Sequence, residues 1–206
     1  RRVLFRSLDL VTGVLAGADP DPQLSVTEHG VRYYVDVRNG HKTGFYVDQR
    51  DNRKLVGDLA DGRDVLNCFC YTGGFSLAAL RGGAKSVTSI DSSGDALKIA
   101  ASNVTLNGFD PERATWLDAD VFKTLREFRA EGRQFDLIVL DPPKFAPSAQ
   151  HIDRAARAYK EINLVGMQLL RPGGLLFTYS CSGAISMELF QKIVAGAVTD
   201  ARADAR

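Results

Sequence analysis

An acid followed by two prolines closes the apolar run at residues 135–140, giving Asp141-Pro142-Pro143-Lys144-Phe145. The run reads as a strand covered on both faces, and each proline fixes φ and lacks an N–H, so the strand stops there. Asp141 is left at the strand's carboxyl tip, where open α/β sheets bind ligands. Cys181 stands in a comparable place, in Ser180-Cys181-Ser182-Gly183 after a later strand. A thiol there can reach the same crevice as a nucleophile, although buried cysteine is ordinarily inert packing. Earlier in the chain, Asn67-Cys68-Phe69-Cys70-Tyr71-Thr72-Gly73-Gly74-Phe75 leads from a strand into a helix. Its glycine pair either lets the backbone approach a nucleoside-type cofactor or makes an ordinary tight βα turn. No third glycine is in register, which disfavours a pyrophosphate cradle for a nicotinamide dinucleotide. Asp91, 18 residues after Gly73, ends the next strand, placed to accept hydrogen bonds from a ribose diol. Asp120 follows the third strand and either meets an adenine amino group or caps the helix at 121–128.

These tips need a scaffold that brings them together. From residue 63 onward strand patterns at 63–69, 86–91, 114–117, 135–140 and 175–180 alternate with helices, which predicts a parallel sheet. Right-handed crossovers that reverse after the first strand give the order 3-2-1-4-5, with helices on both faces and a crevice between strands one and four. Leu97, Ala100, Ala101 and Val104 mark one helix, ending at Asn107-Gly108; Ala158, Ile162, Val165 and Leu169 mark another, stopped by Arg171-Pro172-Gly173-Gly174. Ser186 caps a last helix through Phe190, Ile193 and Ala197. Ahead of the sheet, alternation at 24–27 and 31–37 around Glu28-His29-Gly30 predicts a small antiparallel hairpin. Residues 48–59 form a lead-in helix with Leu55, Val56 and Leu59 at helical spacing. The division expected is a hairpin appendage with lead-in helix over 1–60 and the sheet domain over 61–206.

With 206 residues the chain suits one main domain, and a net charge of +1 means that any polyanion site is a local patch. No run is long enough to span a bilayer and no signal peptide is evident, so the expected location is the cytoplasm. The opening Arg1-Arg2-Val3 lacks Met, as expected of a chain that starts partway through a longer protein. Cys68, Cys70 and Cys181 read as thiols; without further Cys or His nearby they make no zinc site, and no metal is expected.

Gly40-His41-Lys42-Thr43-Gly44-Phe45-Tyr46-Val47-Asp48-Gln49-Arg50, then Leu66 to Ser76, Asp141 to Phe145 and Ser180 to Gly183, occur in this order. From about residue 11 to its end the chain resembles the RlmI-like class I S-adenosylmethionine-dependent 23S rRNA 5-methylcytosine methyltransferases. The resemblance implies their Rossmann-like fold, S-adenosylmethionine as methyl donor, ribosomal RNA (23S) as partner and Cys181 as nucleophile. Carried over by position, Tyr71, Thr72, Gly73, Asp91, Asp120, Asp141 and Pro142 would line the cofactor, closed from the N-terminal side by Lys42, Asp48 and Arg50. Family members also carry an N-terminal PUA domain and further C-terminal strands that are not among these 206 residues, so a fragment is expected.

Cytosine C5 is too poor a nucleophile to take a methyl group unaided. A thiolate added at C6 turns the ring into an enamine, the role expected of Cys181, with Asp141 on the N3/N4 edge. No base for the C5 proton is assignable, since Pro143-Lys144 stand where a second cysteine could serve. The target base must leave its stack; Phe145 offers a stacking surface, and Lys144, Arg154, Arg157 and Lys160 form either a phosphate patch or a merely solvated helix face. Rival readings are methylation of a purine nitrogen such as guanine's, which needs no thiol, a catalytically silent RNA-binding module, and, more distantly, a nicotinamide dehydrogenase.

Overall fold

The computed structural model describes residues 14, 16–19, 21, 24–38, 40, 44–146 and 148–203; Lys42 and the opening residues lie outside them. Two short runs, β1 (Ser25–Glu28) and β2 (Val31–Tyr34), pair antiparallel around His29 and Gly30. Both turn residues have positive φ, 48° and 76°, as a two-residue hairpin of type I′ requires. A 3-10 turn at Val47–Gln49 runs into α1 (Arg50–Asp58). Strands and helices then alternate: β3 (Asp64–Cys68), α2 (Gly74–Arg81), β4 (Ser86–Asp91), α3 (Gly94–Leu106), β5 (Ala114–Asp118), α4 (Val121–Ala130), β6 (Phe135–Leu140), α5 (Ile152–Gln168), β7 (Leu170–Thr178) and α6 (Met187–Ala201).

The five later strands form one parallel sheet of order β5-β4-β3-β6-β7, the expected order, with the reversal at β3 and β6. Alternate residues supply two cores, as in any sheet covered on both sides. Leu66, Cys68, Ile138 and Leu140 face Leu125, Phe128, Tyr159 and Ile162 of α4 and α5. Val65, Leu137 and Val139 face Val56, Leu77, Leu80 and Val104 of α1, α2 and α3, and Val31, Tyr33 and Val35 of the hairpin join this second cluster. The remaining edge of β2 is satisfied by α3: Tyr34 N–H donates to Asn103 Oδ1 (2.7 Å), while the Asn107 amide accepts from Arg32 N–H (2.8 Å) and donates to Arg32 O (2.7 Å). Side-chain amides so placed cover an exposed sheet edge.

Several expected boundaries move. β3 ends at Cys68 because Phe69 adopts φ 60°, and β2 stops at Tyr34 rather than Val37. β7 begins at Leu170, not 175, pairing with Phe135 before Arg171-Pro172-Gly173-Gly174 bulges out and pairing resumes at Leu175. The Pro-Gly-Gly that reads as a helix stop is thus an excursion within a strand, with Gly173 at φ 77°. On α3, Ala101 is exposed, and Asn103 takes the inward position because it has the hairpin to bond. On α1, Leu55 and Leu59 stay exposed, while Arg53 is buried beside Val56. Among the described residues no helix is long and apolar enough to cross a membrane, and no cluster of His, Cys, Asp or Glu could hold a metal.

At the amino ends of the strands, far along the sheet from the tips, Arg171 Nη1 joins Asp64 (3.0 Å) to Asp136 (2.8 Å). Burial pushes both carboxyls up. For Asp64, hydrogen bonds from Ser86 and Arg171 and the charges of Lys85 and Arg171 outweigh it; for Asp136, the Asp64 N–H and Arg171 do, so both lie below the ordinary value. A lowered folded pKa contributes stability that is fully present above the unfolded carboxylate pKa of about 3.9 and is lost as pH falls through the folded value. Arg171→Met is therefore expected to destabilise the protein modestly at pH 7, because the group is solvent-screened, with the gap from wild type closing as pH falls below about 4. Urea titrations at pH 7 and pH 3 measure this, and an equal gap at both would refute it.

Candidate active site at the carboxyl edge of the sheet

In a parallel sheet all strand tips lie on one edge, so Gly73, Asp91, Asp120, Asp141 and Cys181 come to that edge after β3, at the end of β4, and after β5, β6 and β7. The loop after β3 is bent by three left-handed residues, Phe69 (φ 60°), Tyr71 (φ 50°) and Gly73 (φ 80°). The non-glycine positions cost on the order of 1–3 kcal/mol each unless the surroundings hold them. Cys70 N–H bonds Ile90 O (3.1 Å), Gly73 N–H bonds Cys70 O (2.8 Å), and Tyr71 N–H bonds Asp91 Oδ2 (2.8 Å). A side chain at Gly73 would meet Trp116 at 2.9 Å, and one at Gly74 would meet Arg53 at 3.1 Å, so both glycines answer to packing.

Asp91 Oδ1 also accepts from Ser93 N–H (2.9 Å). A carboxylate offers about four acceptor sites, so capacity remains for a diol. Asp120 is exposed and caps α4 by accepting from Lys123 N–H (2.8 Å). Asp91→Asn keeps one of the two carboxylate acceptors, and it is expected to weaken S-adenosylmethionine binding by about 1.5–3 kcal/mol, the worth of a hydrogen bond to a charged group. Because Asp91 also holds Tyr71, the melting temperature should fall as well. Calorimetric titration giving wild-type affinity would refute a ribose contact by Asp91.

The N-terminal lead-in folds back toward the tips. Gly40 and Gly44 both lie close against Asp36 O, which a side chain on either would strike. Tyr46 packs edge-on to Tyr71 (5.6 Å between centroids), and burial, then Tyr71, Cys181, Asp141 and Asp48, push its phenol up. Gln49 Nε2 donates to Asp141 Oδ2 (3.1 Å), and Asn52 Nδ2 donates in turn to Gln49 Oε1 (2.6 Å). Asp48 is exposed, and Arg50 lies along a groove of about 520 Å³ beside Val26, Phe45 and Val47. A second groove, about 600 Å³, lies between the hairpin turn and α1–α2; neither groove is lined by the strand tips.

Cys181 is exposed, and its Sγ lies 3.7 Å from Pro142 O, so the thiol and the Asp-Pro-Pro turn meet. Next to it Tyr179 stacks on Phe75 (5.6 Å), its hydroxyl buried without a hydrogen-bond partner, its phenol pushed up by burial and Asp141. Thr72 and Pro142 are buried, Tyr71 half-buried. Lys144, Arg154 and Arg157 are exposed, whereas Lys160 pairs with Asp200 of α6 at 2.7 Å. Phe145 sits in an aromatic cluster with Phe69, Phe122 and Tyr159. Sequence reasoning missed Tyr46, Gln49, Arg53, Tyr159 and Tyr179. Tyr46 and Gln49 had a local signal, their places beside Asp48 and Arg50 in the motif at 40–50.

Three carboxylates, Asp91, Asp120 and Asp141, stand at this edge as hydrogen-bond acceptors. Residues 7–199 match the family model described as S-adenosylmethionine-dependent methyltransferase. The "Ribosomal RNA large subunit methyltransferase I" of Shewanella amazonensis is 53% identical over 199 residues, 97% of this chain and 50% of that protein. The chain thus spans about half the length of the curated relatives it matches. Two solved structures superpose with TM-score 0.81 at 28% identity, covering 89% of this chain and 48% of theirs: one described as a SAM-dependent methyltransferase from Streptococcus mutans, the other as a methyltransferase complexed with SAH. With the fold, the convergent strand tips and a family match over nearly the whole chain in agreement, this chain belongs to the S-adenosylmethionine-dependent methyltransferase family.

Proposed function

We propose that this chain is the catalytic part of an enzyme that methylates C5 of a cytosine in large-subunit ribosomal RNA, with Cys181 as nucleophile. The observation that carries the reading is the exposed Cys181 thiol 3.7 Å from Pro142 O, next to Asp141. The name of the relatives supports ribosomal RNA as substrate, and a thiol at the crevice favours carbon over nitrogen as acceptor, because a nitrogen lone pair needs no covalent help. S-adenosylmethionine, when bound, supplies the methyl group; Asp91 and the 69–73 loop would hold its nucleoside, with Asp120 beside them.

The deprotonated Cys181 adds to C6, forming an S–C6 bond while the C5–C6 π pair makes C5 nucleophilic. Asp141, steadied by Gln49, holds the N3/N4 edge. Once C5 is methylated, loss of its proton to a base restores the double bond, breaks S–C6 and returns Cys181 as thiolate. Lys144 with Arg154 and Arg157, i and i+3 on α5, would meet backbone phosphates.

The test is transfer of labelled methyl from S-adenosylmethionine to 23S rRNA by the full-length protein, with the nucleoside identified by mass. 5-Methylcytosine is expected. A methylated purine would favour the nitrogen reading, and cofactor binding without transfer would favour a silent RNA-binding module.

A further inference from the structure

We infer that Tyr159 is a positioning residue for the Cys181 nucleophile, an inference that rests on the role proposed for Cys181 above. Tyr159 is fully buried in α5, among Ala155, Ile162 and Val165, where a phenylalanine would serve if only packing mattered. A buried hydroxyl is costly unless it is hydrogen-bonded, so its presence calls for specific partners. It has two, and they are the residues on either side of the thiol: Ser180 Oγ at 3.0 Å and Ser182 Oγ at 3.0 Å.

Residues 180 and 182 are drawn inward onto one phenol while the residue between them faces out: Ser182 is 3% exposed and Cys181 is exposed. The same anchor reaches the second half of the site. Ser182 Oγ accepts from Ala146 N–H (3.1 Å), one residue past Asp141-Pro142-Pro143-Lys144-Phe145, and the Tyr159 ring packs on Phe145 at 4.8 Å. Phe190 of α6 closes the other side of the ring at 5.3 Å. A consistent proton order runs from Ser180 O–H to the Tyr159 oxygen and from Tyr159 O–H to Ser182 Oγ. One hydroxyl thus sets the thiol loop against the turn that carries Asp141.

The experiment is Tyr159→Phe in the full-length protein, which deletes one oxygen and keeps the ring contacts. Small displacements of a reacting group cost rate rather than binding, so kcat for methyl transfer is expected to fall about 10- to 100-fold. KM for RNA and the Kd for S-adenosylmethionine should stay within about 2-fold, and the covalent adduct with 5-fluorocytosine RNA should form more slowly by the same factor as kcat. Ser182→Ala should show a similar loss, and the double variant should be no slower than either single one, because both remove the same link. Wild-type kcat in Tyr159→Phe, or a fall matched by an equal loss of cofactor affinity, would overturn the inference. Should Tyr159→Phe fail to fold, Ser180→Ala at its half-buried position carries the same comparison: lowered kcat with intact cofactor affinity supports the role, and unchanged kcat refutes it. Cys181→Ser separates the two levels. Retained methylation there removes the nucleophile reading itself, whereas an inactive Cys181→Ser beside an unimpaired Tyr159→Phe removes only the positioning role.

Discussion

Cys181→Ser should lower methyl transfer by at least about 10³-fold, roughly 4 kcal/mol in the barrier at 1.36 kcal/mol per decade, with cofactor affinity nearly unchanged. The substituted oxygen occupies the same exposed place after β7, so neither packing nor the hydroxyl anchor beneath it is disturbed. What is lost is a nucleophile able to add to C6, since an alcohol without an adjacent base is a far weaker one. RNA carrying 5-fluorocytosine at the target should trap wild type as a thioether, because fluorine cannot depart as a cation. Cys68 and Cys70 are internal controls: burial pushes both thiols up, Cys70 further raised by Asp91 and Cys68, and neither is exposed. An adduct that survives Cys181→Ser, or wild type that methylates this RNA without forming one, would defeat the nucleophile assignment.

The largest stability effect is expected at Arg53. Its guanidinium forks onto Glu28 at 2.7 and 2.9 Å, donates to Tyr46 O at 2.8 Å and lies over the Phe45 ring at 4.5 Å. The side chains of Arg53 and Glu28 are 4% and 9% exposed, so removing one partner strands a buried charge. Arg53→Leu should therefore destabilise by about 3–5 kcal/mol, while Arg53→Leu combined with Glu28→Leu should recover a good part of that loss. Denaturant unfolding of the three proteins gives the comparison. Loss of the Tyr46 O contact should also loosen the lead-in that carries Gln49 to Asp141. A single variant as stable as wild type would show that the pair does not hold the hairpin to α1.

Expectation and structure agree best where a signal is local. Residues 86–91 and 135–140 are strands with the expected bounds, because each carries β-branched residues and has an acid at its carboxyl tip, followed in one case by two prolines. Ser186 caps α6 by accepting from Leu189 N–H at 3.2 Å, a preference that one residue type encodes. Disagreement appears where a local signal has two physical outcomes. Pro172-Gly173-Gly174 can end a helix or bulge a strand, and the pairing of Leu170 with Phe135 selects the bulge. Leu55 and Leu59 fit an apolar helix stripe, yet α1 buries Arg53 instead, because Glu28 waits across the interface to pair with it.

Sheet order, and with it the sharing of one edge by Asp91, Asp120, Asp141 and Cys181, is readable from the chain alone, since crossover handedness and strand polarity leave little choice once the alternation is read. So are the residue types that stand there. How those groups are held is set by contacts between elements. Gln49 reaches Asp141 across 92 residues, Arg53 reaches Glu28 across 25, and Ser180 reaches Tyr159 across 21. Each bond joins polar atoms whose partner lies on another element, so no periodicity or spacing within a window announces it. Periodicity encodes which face of an element is buried, whereas the identity of a buried polar partner depends on the docking of two elements and is chosen only when they meet.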